Sequence, residues 1–214
     1  MNIRALVSEF VGTFTLIFIG AGAAALGVGG LVGVAFAHGL VVLAFMYSYG
    51  HISGVHINPA VTIAMFVGRQ IDIVSAAAYI VVQLLGAVVA GVLLQFLIGS
   101  TAPELGATVL AQGIDPMQGL VLEIILTFLL VNVIYNTMVS GKAGNMAPVA
   151  VGLTLAALIL MGAPLTGASL NPARTLGPAV VTGNFSDLWL YLVGPIVGGV
   201  LAALLYNGLL KENS

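Results

Sequence analysis

The fold is decided by the sequence GVHINPAVT, residues 54–62, which returns as GASLNPART at residues 167–175. In each copy the asparagine can cap a helix, because its side-chain oxygen accepts a backbone N–H. The proline that follows suits the first position of a helix, where its missing N–H leaves no bond unmade. Each copy therefore predicts the start of a helix, at Asn58 in the first and at Asn171 in the second.

Other parts of the chain repeat at nearly the same distance. The sequence EFVGTF at residues 9–14 returns as EIILTF at residues 123–128, and the two Asn-Pro-Ala copies stand 113 residues apart. A single Asn-Pro-Ala would indicate only a turn before an ordinary helix, whereas two copies at matching places favour a paired structure. We expect one domain, residues 1–214, built from two repeats at about 1–105 and 115–214.

Composition indicates the environment of the chain. Of its 214 residues, 60% are hydrophobic and 6% are charged, and the mean hydropathy is +1.19. Soluble domains carry about 25% charged residues, so this is a membrane protein and not a cytoplasmic enzyme or a disordered chain. Five basic residues and a net charge of −2 provide no surface for nucleic acid. With three histidines and no cysteine, we expect no metal site and no cofactor.

Apolar runs long enough to cross a bilayer, about 20 residues each, occur six times. We predict membrane-spanning helices at residues 3–26, 31–49, 74–98, 119–139, 147–163 and 188–209. Two shorter runs, 58–67 and 171–181, give about 15 Å of helix, half of a hydrocarbon core of about 30 Å. Three spans in each half make the repeat inverted. The predicted fold is an all-α membrane protein with six transmembrane helices and two re-entrant half-helices.

Charge predicts the orientation, because cytoplasmic loops are enriched in Lys and Arg. With both termini in the cytoplasm and the chain in the cell membrane, four basic residues fall inside and three acidic residues fall outside. These residues are Arg4, Arg69, Lys142 and Lys211 inside, and Glu104, Asp115 and Asp187 outside. Arg174 is the exception, which indicates that it lies within the protein and not in a loop.

Several motifs together resemble the aquaporin family, or major intrinsic proteins, of prokaryotic or archaeal type. They are the two Asn-Pro-Ala stretches, QLLGA at residues 83–87 and Gly194-Pro195. The resemblance covers the whole chain. It implies an aquaporin-like fold, a passive channel for water that excludes protons and ions, a homotetramer in the lipid bilayer, and no enzyme activity. Ammonia, urea and glycerol stay open as further small neutral permeants.

The resemblance places the pore centre at the two Asn-Pro-Ala triplets. Their residues are Asn58, Pro59, Ala60, Asn171, Pro172 and Ala173. A helix N-terminus carries about half a positive charge, so two that face each other repel cations, hydronium included. The asparagine amides would orient a passing water molecule and interrupt a proton wire. Pore diameter, lining donors and half-helix dipoles are the general account of selectivity in aquaporin-type pores.

Members of the family have a second constriction in the pore. Counting residues from the two asparagines, as the resemblance implies, assigns it to four residues of this chain. They are His38, Ile159, Ala168 and Arg174. This set is similar to the filters of the plant vacuolar subgroup, many of which also pass ammonia or urea. Glycerol facilitators usually have Asp after the filter arginine, where this chain has Thr175. The alternatives are an Arg174 whose head lies in water at the surface and a His38 that is an ordinary hydrogen-bonded histidine.

Two glutamates, Glu9 and Glu123, fall inside apolar spans, where carboxylates are unfavourable and usually functional. In the family the matching glutamates accept hydrogen bonds from the pore loops, and we expect the same here. We also expect His56 to contribute its backbone carbonyl to the water path. A proton relay through the glutamates is the competing interpretation. The alternative function is a proton-coupled secondary transporter of a small solute, which would share the inverted repeat.

Overall fold

The structure, a computed structural model, describes residues 2–211, and within this range the chain forms eight α-helices and no β-strand. The helices are α1 (Ile3–Leu26), α2 (Gly30–Ser53), α3 (Pro59–Val67), α4 (Ile73–Ile98), α5 (Pro116–Ile134), α6 (Ala147–Thr166), α7 (Pro172–Thr182) and α8 (Leu188–Leu205). Short helical turns adjoin three of them, at Tyr135–Val139, Gly144–Met146 and Tyr206–Leu210. The prediction that both termini are cytoplasmic includes residues 1 and 212–214, which lie outside the described residues.

Six helices, together with their short extensions, are long and apolar enough to cross a membrane. They are α1, α2, α4, α5, α6 and α8. The other two, α3 and α7, have 9 and 11 residues, and each begins at a proline that follows an asparagine. The predicted fold class, six transmembrane helices and two half-helices, is confirmed.

Glycines end two helices where the chain turns. Gly27 adopts a φ of 63° after α1, and Gly54 adopts a φ of 84° after α2. Glycine favours this left-handed region because it has no Cβ to crowd the backbone. The break predicted at residues 27–30 is confirmed. The predicted end of the second span at residue 49 is wrong, because the helix continues through residues 50–53, which include the polar His51 and Ser53.

Two more boundaries differ from the predictions at prolines. α5 begins at Pro116, earlier than predicted, because Asp115 and Gln118 form a reciprocal capping box at its first turn. α6 passes through Pro164 and ends at Thr166, later than predicted. A proline in the last turn removes a single N–H donor, which this helix tolerates.

Close helix crossings depend on residues without bulky side chains. Gly39 of α2 and Gly152 of α6 oppose each other, and a Cβ on either would lie 2.5–2.7 Å from the carbonyl oxygen of the other. Gly86 of α4 lies in the same way against α1, and Gly198 of α8 lies against α5. These small residues let α4 approach α1 closely and let α8 approach α5 closely.

The half-helices pack between the long helices of both halves. α3 lies mainly against α8, and α7 lies mainly against α4. Each half-helix is therefore held by a long helix of the opposite half. Large apolar side chains, such as that of Phe96 at 83% exposed, cover the outside of the bundle, as a surface in contact with lipid requires.

The helix order gives the bundle two polar ends. The basic face carries Arg4, Arg69, Lys142 and Lys211, and the acidic face carries Glu104, Asp115 and Asp187. On the basic face the Asp72 side chain caps α4. Hydrogen bonds from the hydroxyl and backbone of Ser75 lower the pKa of this carboxyl below its usual value.

Candidate functional site

The two half-helices meet at their N-termini in the middle of the bundle. Asn58 Oδ1 accepts the backbone N–H of Ala60 at 2.8 Å, and Asn171 Oδ1 accepts that of Ala173 at 3.0 Å. Both asparagines are buried and both have extended backbones before the helix starts. The predicted caps at Asn58 and Asn171, each followed by a proline at the first helical position, are confirmed.

The asparagine amides also connect the two pore loops, residues 54–57 and 167–170, which precede the half-helices. Asn58 Nδ2 donates to the carbonyl of Leu170 at 2.8 Å, and Asn171 Nδ2 donates to the carbonyl of Ile57 at 2.9 Å. An amide nitrogen carries two hydrogens, so each asparagine keeps a second N–H. The cross-links fix both half-helix ends around one point.

The loops that precede the half-helices have unusual backbones. Val55 and Ile57 adopt φ values of 53° and 42°, and Ala168 and Leu170, their equivalents in the second copy, adopt 47° and 54°. A left-handed conformation at a residue other than glycine is strained by about 1–3 kcal/mol. Such strain persists only where the surroundings determine the conformation, so these loops must be held by their neighbours.

Glu9 holds the first loop. Its Oε1 accepts the hydroxyl of Ser53 at 2.7 Å and the N–H of His56 at 2.9 Å. Its Oε2 accepts the N–H of Ile57 at 2.6 Å and the Nε2 of Gln83 at 2.8 Å. The glutamate is fully buried, and four donors compensate for its removal from water.

Glu123 holds the second loop in a similar way. Its Oε1 accepts the hydroxyl of Thr166 at 2.7 Å and the N–H of Ser169 at 3.0 Å. Its Oε2 accepts the N–H of Leu170 at 2.8 Å. In both halves, a carboxylate therefore binds consecutive N–H groups of the strained loop and turns that side of the backbone toward itself.

Three cavities lie in a row through the bundle. A cavity of about 370 Å³ opens at the acidic face, a central cavity has about 40 Å³, and a cavity of about 180 Å³ lies toward the basic face. We name them the acidic-side, central and basic-side cavities. His38, Ile159 and Arg174 line both the acidic-side and the central cavity, whereas Met46 and His56 line both the central and the basic-side cavity.

The four residues carried over as a filter lie together at the first of these junctions. His38, Ile159 and Arg174 line both cavities there, and Ala168 lines the acidic-side cavity. Arg174 is only 4% exposed, so it does not lie at the outer surface. Its Nη1 donates to the carbonyl of Gly106 at 2.7 Å, which fixes the guanidinium against the loop between α4 and α5.

A chain of hydroxyl groups supports the same region. Thr108 Oγ1 lies 2.7 Å from Thr175 Oγ1, which lies 2.7 Å from Ser169 Oγ. Ser169 Oγ donates to the carbonyl of Asn171 at 2.9 Å. These contacts connect the α4–α5 loop to the second pore loop, on either side of Arg174.

His56 belongs to the loop scaffold as well as to the cavity walls. Its backbone N–H donates to Glu9, and its Nδ1 lies 3.2 Å from the Thr62 hydroxyl. The ring packs edge-on against Tyr79 at a centroid distance of 5.2 Å. The side chain is thus occupied by contacts with the scaffold.

Sequence reasoning did not find every residue that holds the site. Ser53 and Thr166 directly precede the two repeated stretches, so extending the repeat by one residue would have identified them. Gln83 stands in a family motif that does not indicate its hydrogen-bond partner, and no sequence pattern points to Gly106 or Thr108. Among residues 2–211 there is no cluster of three or more His, Asp or Glu side chains suited to a metal ion.

Known proteins resemble this chain over nearly its whole length. The sequence profile of the family described as Major intrinsic protein matches residues 1–206. A probable aquaporin TIP3-2 of Arabidopsis thaliana is 44% identical over an alignment 224 residues long, which covers 96% of this chain and 83% of the relative. The chain belongs to the major intrinsic protein family.

Another relative and a solved structure agree with this membership. Aquaporin TIP2-1 of Arabidopsis thaliana is 39% identical over an alignment 226 residues long, which covers 100% of this chain and 90% of the relative. The X-ray structure of the aquaglyceroporin from Plasmodium falciparum matches with a TM-score of 0.90 at 27% identity, covering 99% of this chain and 98% of that one. As a member of the family, the chain is a multi-span membrane protein and a passive channel, not an enzyme.

Proposed function

We propose that this channel conducts water and small neutral solutes along the row of three cavities. One observation carries the proposal. The acidic-side and central cavities share His38, Ile159 and Arg174, and the central and basic-side cavities share Met46 and His56. The cavities therefore follow one another from face to face, and the path passes the junction of the two half-helices. A passive pore of this kind needs no alternating access, which separates it from the proton-coupled transporter.

The pore centre consists of Asn58, Asn171 and the half-helices that they cap. Two positive helix ends meet there, which raises the energy of any cation at the centre. The remaining amide N–H of each asparagine donates to the oxygen of a passing water. A water molecule that accepts both of these hydrogen bonds cannot also accept one from the next water molecule in the pore. Protons therefore cannot pass along the row of water molecules.

The filter consists of His38, Ile159, Ala168 and Arg174. The buried guanidinium adds a second positive barrier in surroundings of low dielectric, where a charge acts strongly. It also offers donors that replace part of the hydration of a permeating molecule. Ile159 and Ala168 add no polar group, so the filter admits small neutral solutes such as ammonia and urea. Thr175 does not match glycerol facilitators, which favours water and smaller solutes over glycerol.

The glutamates act as fixed supports and not as a proton relay. The four bonds of Glu9 and the three bonds of Glu123 come from loop and helix donors. These bonds support a holding role, because a relay group would have to release its partners at every transfer. His56 contributes its backbone carbonyl to the path.

We propose a single domain of two inverted repeats, at about 1–105 and 115–214. The paired loop conformations and the Gly39–Gly152 crossing support this division. We further propose that the chain lies in the cell membrane with its basic face in the cytoplasm, and that four copies associate as a homotetramer with one pore each. Nucleic acid is not a partner.

Proteoliposomes test this assignment through the double variant His38→Ala/Arg174→Ala. Shrinkage is followed by stopped-flow light scattering with sucrose, urea or glycerol as the osmolyte, and proton leak is followed with a pH dye. The double variant is expected to keep water flux, gain urea and glycerol flux, and begin to leak protons. Phe96→Ala on the lipid-facing surface is the control and changes none of these. An unchanged solute preference in the double variant would mean that these residues do not form the filter.

A further inference from the structure

Gly20 lies in the middle of α1, where a glycine is less favourable than an alanine. Its backbone is helical, so no left-handed turn requires it. It is buried and is not one of the four residues of the proposed filter. The reason for a glycine at this position must therefore be space.

The space is taken by His38. A Cβ on Gly20 would lie 2.5 Å from Cδ2 and 2.8 Å from Cε1 of the His38 ring, and closer still to its Nε2. Real Cβ atoms do not approach other atoms closer than 3.0 Å. The edge of the imidazole thus rests directly on the backbone of α1.

The His38 ring has only one direction in which it could yield to a larger side chain at position 20. Its Nδ1 donates to the carbonyl of Val34 at 2.9 Å, which holds the ring against its own helix. α1 blocks one side of the ring, and the open volume beside it is the junction of the acidic-side and central cavities, which His38 lines. A displaced ring therefore moves into the path.

We infer that Gly20 is a positioning residue that sets the width of the filter by letting the His38 ring rest against α1. This rests on the proposed role of His38 in the filter. An alanine at position 20 would push the ring into the constriction by a large part of an ångström, because the present spacing falls short of the 3.4 Å of ordinary contact. A path whose central cavity holds only about 40 Å³ has little width to lose.

The test compares four proteins in proteoliposomes: Gly20→Ala, His38→Ala, the double variant Gly20→Ala/His38→Ala, and Gly22→Ala. Gly22 is the matched control, because it lies on the same helix and a Cβ there would meet only the flexible end of Leu94 at 3.1 Å. Gly20→Ala is expected to lose more than half of the water flux per channel and a larger share of any urea flux. Gly22→Ala is expected to keep both.

The double variant decides whether the effect passes through the ring. With the imidazole removed, the methyl group introduced by Gly20→Ala has free space, so the double variant should conduct like His38→Ala alone. An equal loss of water flux from Gly20→Ala with and without His38 would indicate a packing defect of α1 and overturn the inference. Wild-type flux and selectivity in Gly20→Ala would overturn it as well.

Two further outcomes are informative. If Gly20→Ala does not accumulate in membranes, recovery of assembly in the double variant supports competition for one space, and failure to recover contradicts it. If His38→Ala alone leaves the urea-to-water flux ratio unchanged, the filter assignment and this inference both fail. If the flux ratio changes in His38→Ala but Gly20→Ala behaves like the wild type, this inference fails and the filter assignment stands.

Discussion

The Nε2 atom of Gln83 donates to Oε2 of Glu9 at 2.8 Å, and the bonds that Glu123 accepts include no counterpart from a glutamine. Gln83 also donates to the Thr62 hydroxyl at 2.9 Å, so it ties α4 both to the carboxylate and to α3. The carboxylate that holds the first pore loop therefore accepts four hydrogen bonds, one more than the carboxylate that holds the second.

This asymmetry predicts different responses to the same conservative change. In Glu123→Gln, the amide nitrogen can be turned toward Leu170, so one N–H loses its acceptor. In Glu9→Gln, either orientation also leaves one loop N–H without an acceptor, and in addition the Ser53 hydroxyl must reverse its bond or the Gln83 amide must turn over. Each unpaired buried group costs about 1–3 kcal/mol. Thermal unfolding in detergent should therefore show a larger destabilisation for Glu9→Gln, and equal losses would contradict the bond assignment.

Water flux in the Glu123 variants separates support from proton relay. Glu123→Gln should keep much of the flux, because the remaining oxygen still holds Thr166 and Ser169. Glu123→Leu provides no acceptor and should reduce both stability and assembly. If both variants accumulate normally and lose flux equally, the carboxylate acts as a relay and not as a support.

Asn171→Asp tests proton exclusion at the pore centre. The aspartate can still cap α7 through an oxygen, but it loses the N–H that bonds Ile57 and adds negative charge between two positive helix ends. We expect a higher proton and sodium leak at comparable water flux, measured with a pH dye and a sodium-sensitive dye in the same vesicles. Asn171→Ser removes the amide without adding charge and serves as the control. Leak rates that match those of the wild type would argue against the electrostatic barrier.

Mercurial compounds should not inhibit the channel. A thiolate is the group that binds mercury, the chain has no cysteine, and Ala168, a residue of the proposed filter, lines the acidic-side cavity. The variant Ala168→Cys should become sensitive, with recovery on addition of a thiol. Reversible inhibition of the wild type at low concentration would show that another group in the path reacts.

Ile159→His should make the channel stricter for water. Ile159 lines the junction of the acidic-side and central cavities, and an imidazole there would add polar atoms and reduce the width available to urea. The ratio of urea to water flux, measured by stopped-flow light scattering, should fall, whereas Ile159→Val should leave it nearly unchanged. A ratio unaffected by histidine would place the constriction elsewhere.

The parts of the fold that depend on local chemistry were predictable from the sequence. Asn58 and Asn171 start helices through bonds to residues only two positions away, and Gly27 ends α1 through its own backbone. The six spans follow from apolar length alone. The boundaries at Ser53 and Thr166 were missed because polar residues or a proline lowered the apolar signal without breaking the backbone bonds.

The residues that support the site were harder to predict from the sequence, because their roles depend on contacts between distant segments. Gly106 meets Arg174 through a carbonyl, which any residue could supply. Thr108 acts through a hydroxyl in a loop without a motif. Gly20 is one of 28 glycines, and only the position of the His38 ring distinguishes it from the others.

The temperature dependence of water flux tests the central claim, a fixed passive pore, most directly. Proteoliposomes are examined at several temperatures at which neither the lipid nor the protein undergoes a transition, first without a proton gradient and again after one is imposed. We predict an activation energy of about 5 kcal/mol, the strength of one hydrogen bond in an apolar medium, and no effect of the gradient. A steep temperature dependence, or flux that requires the gradient, would contradict the pore and favour a transporter.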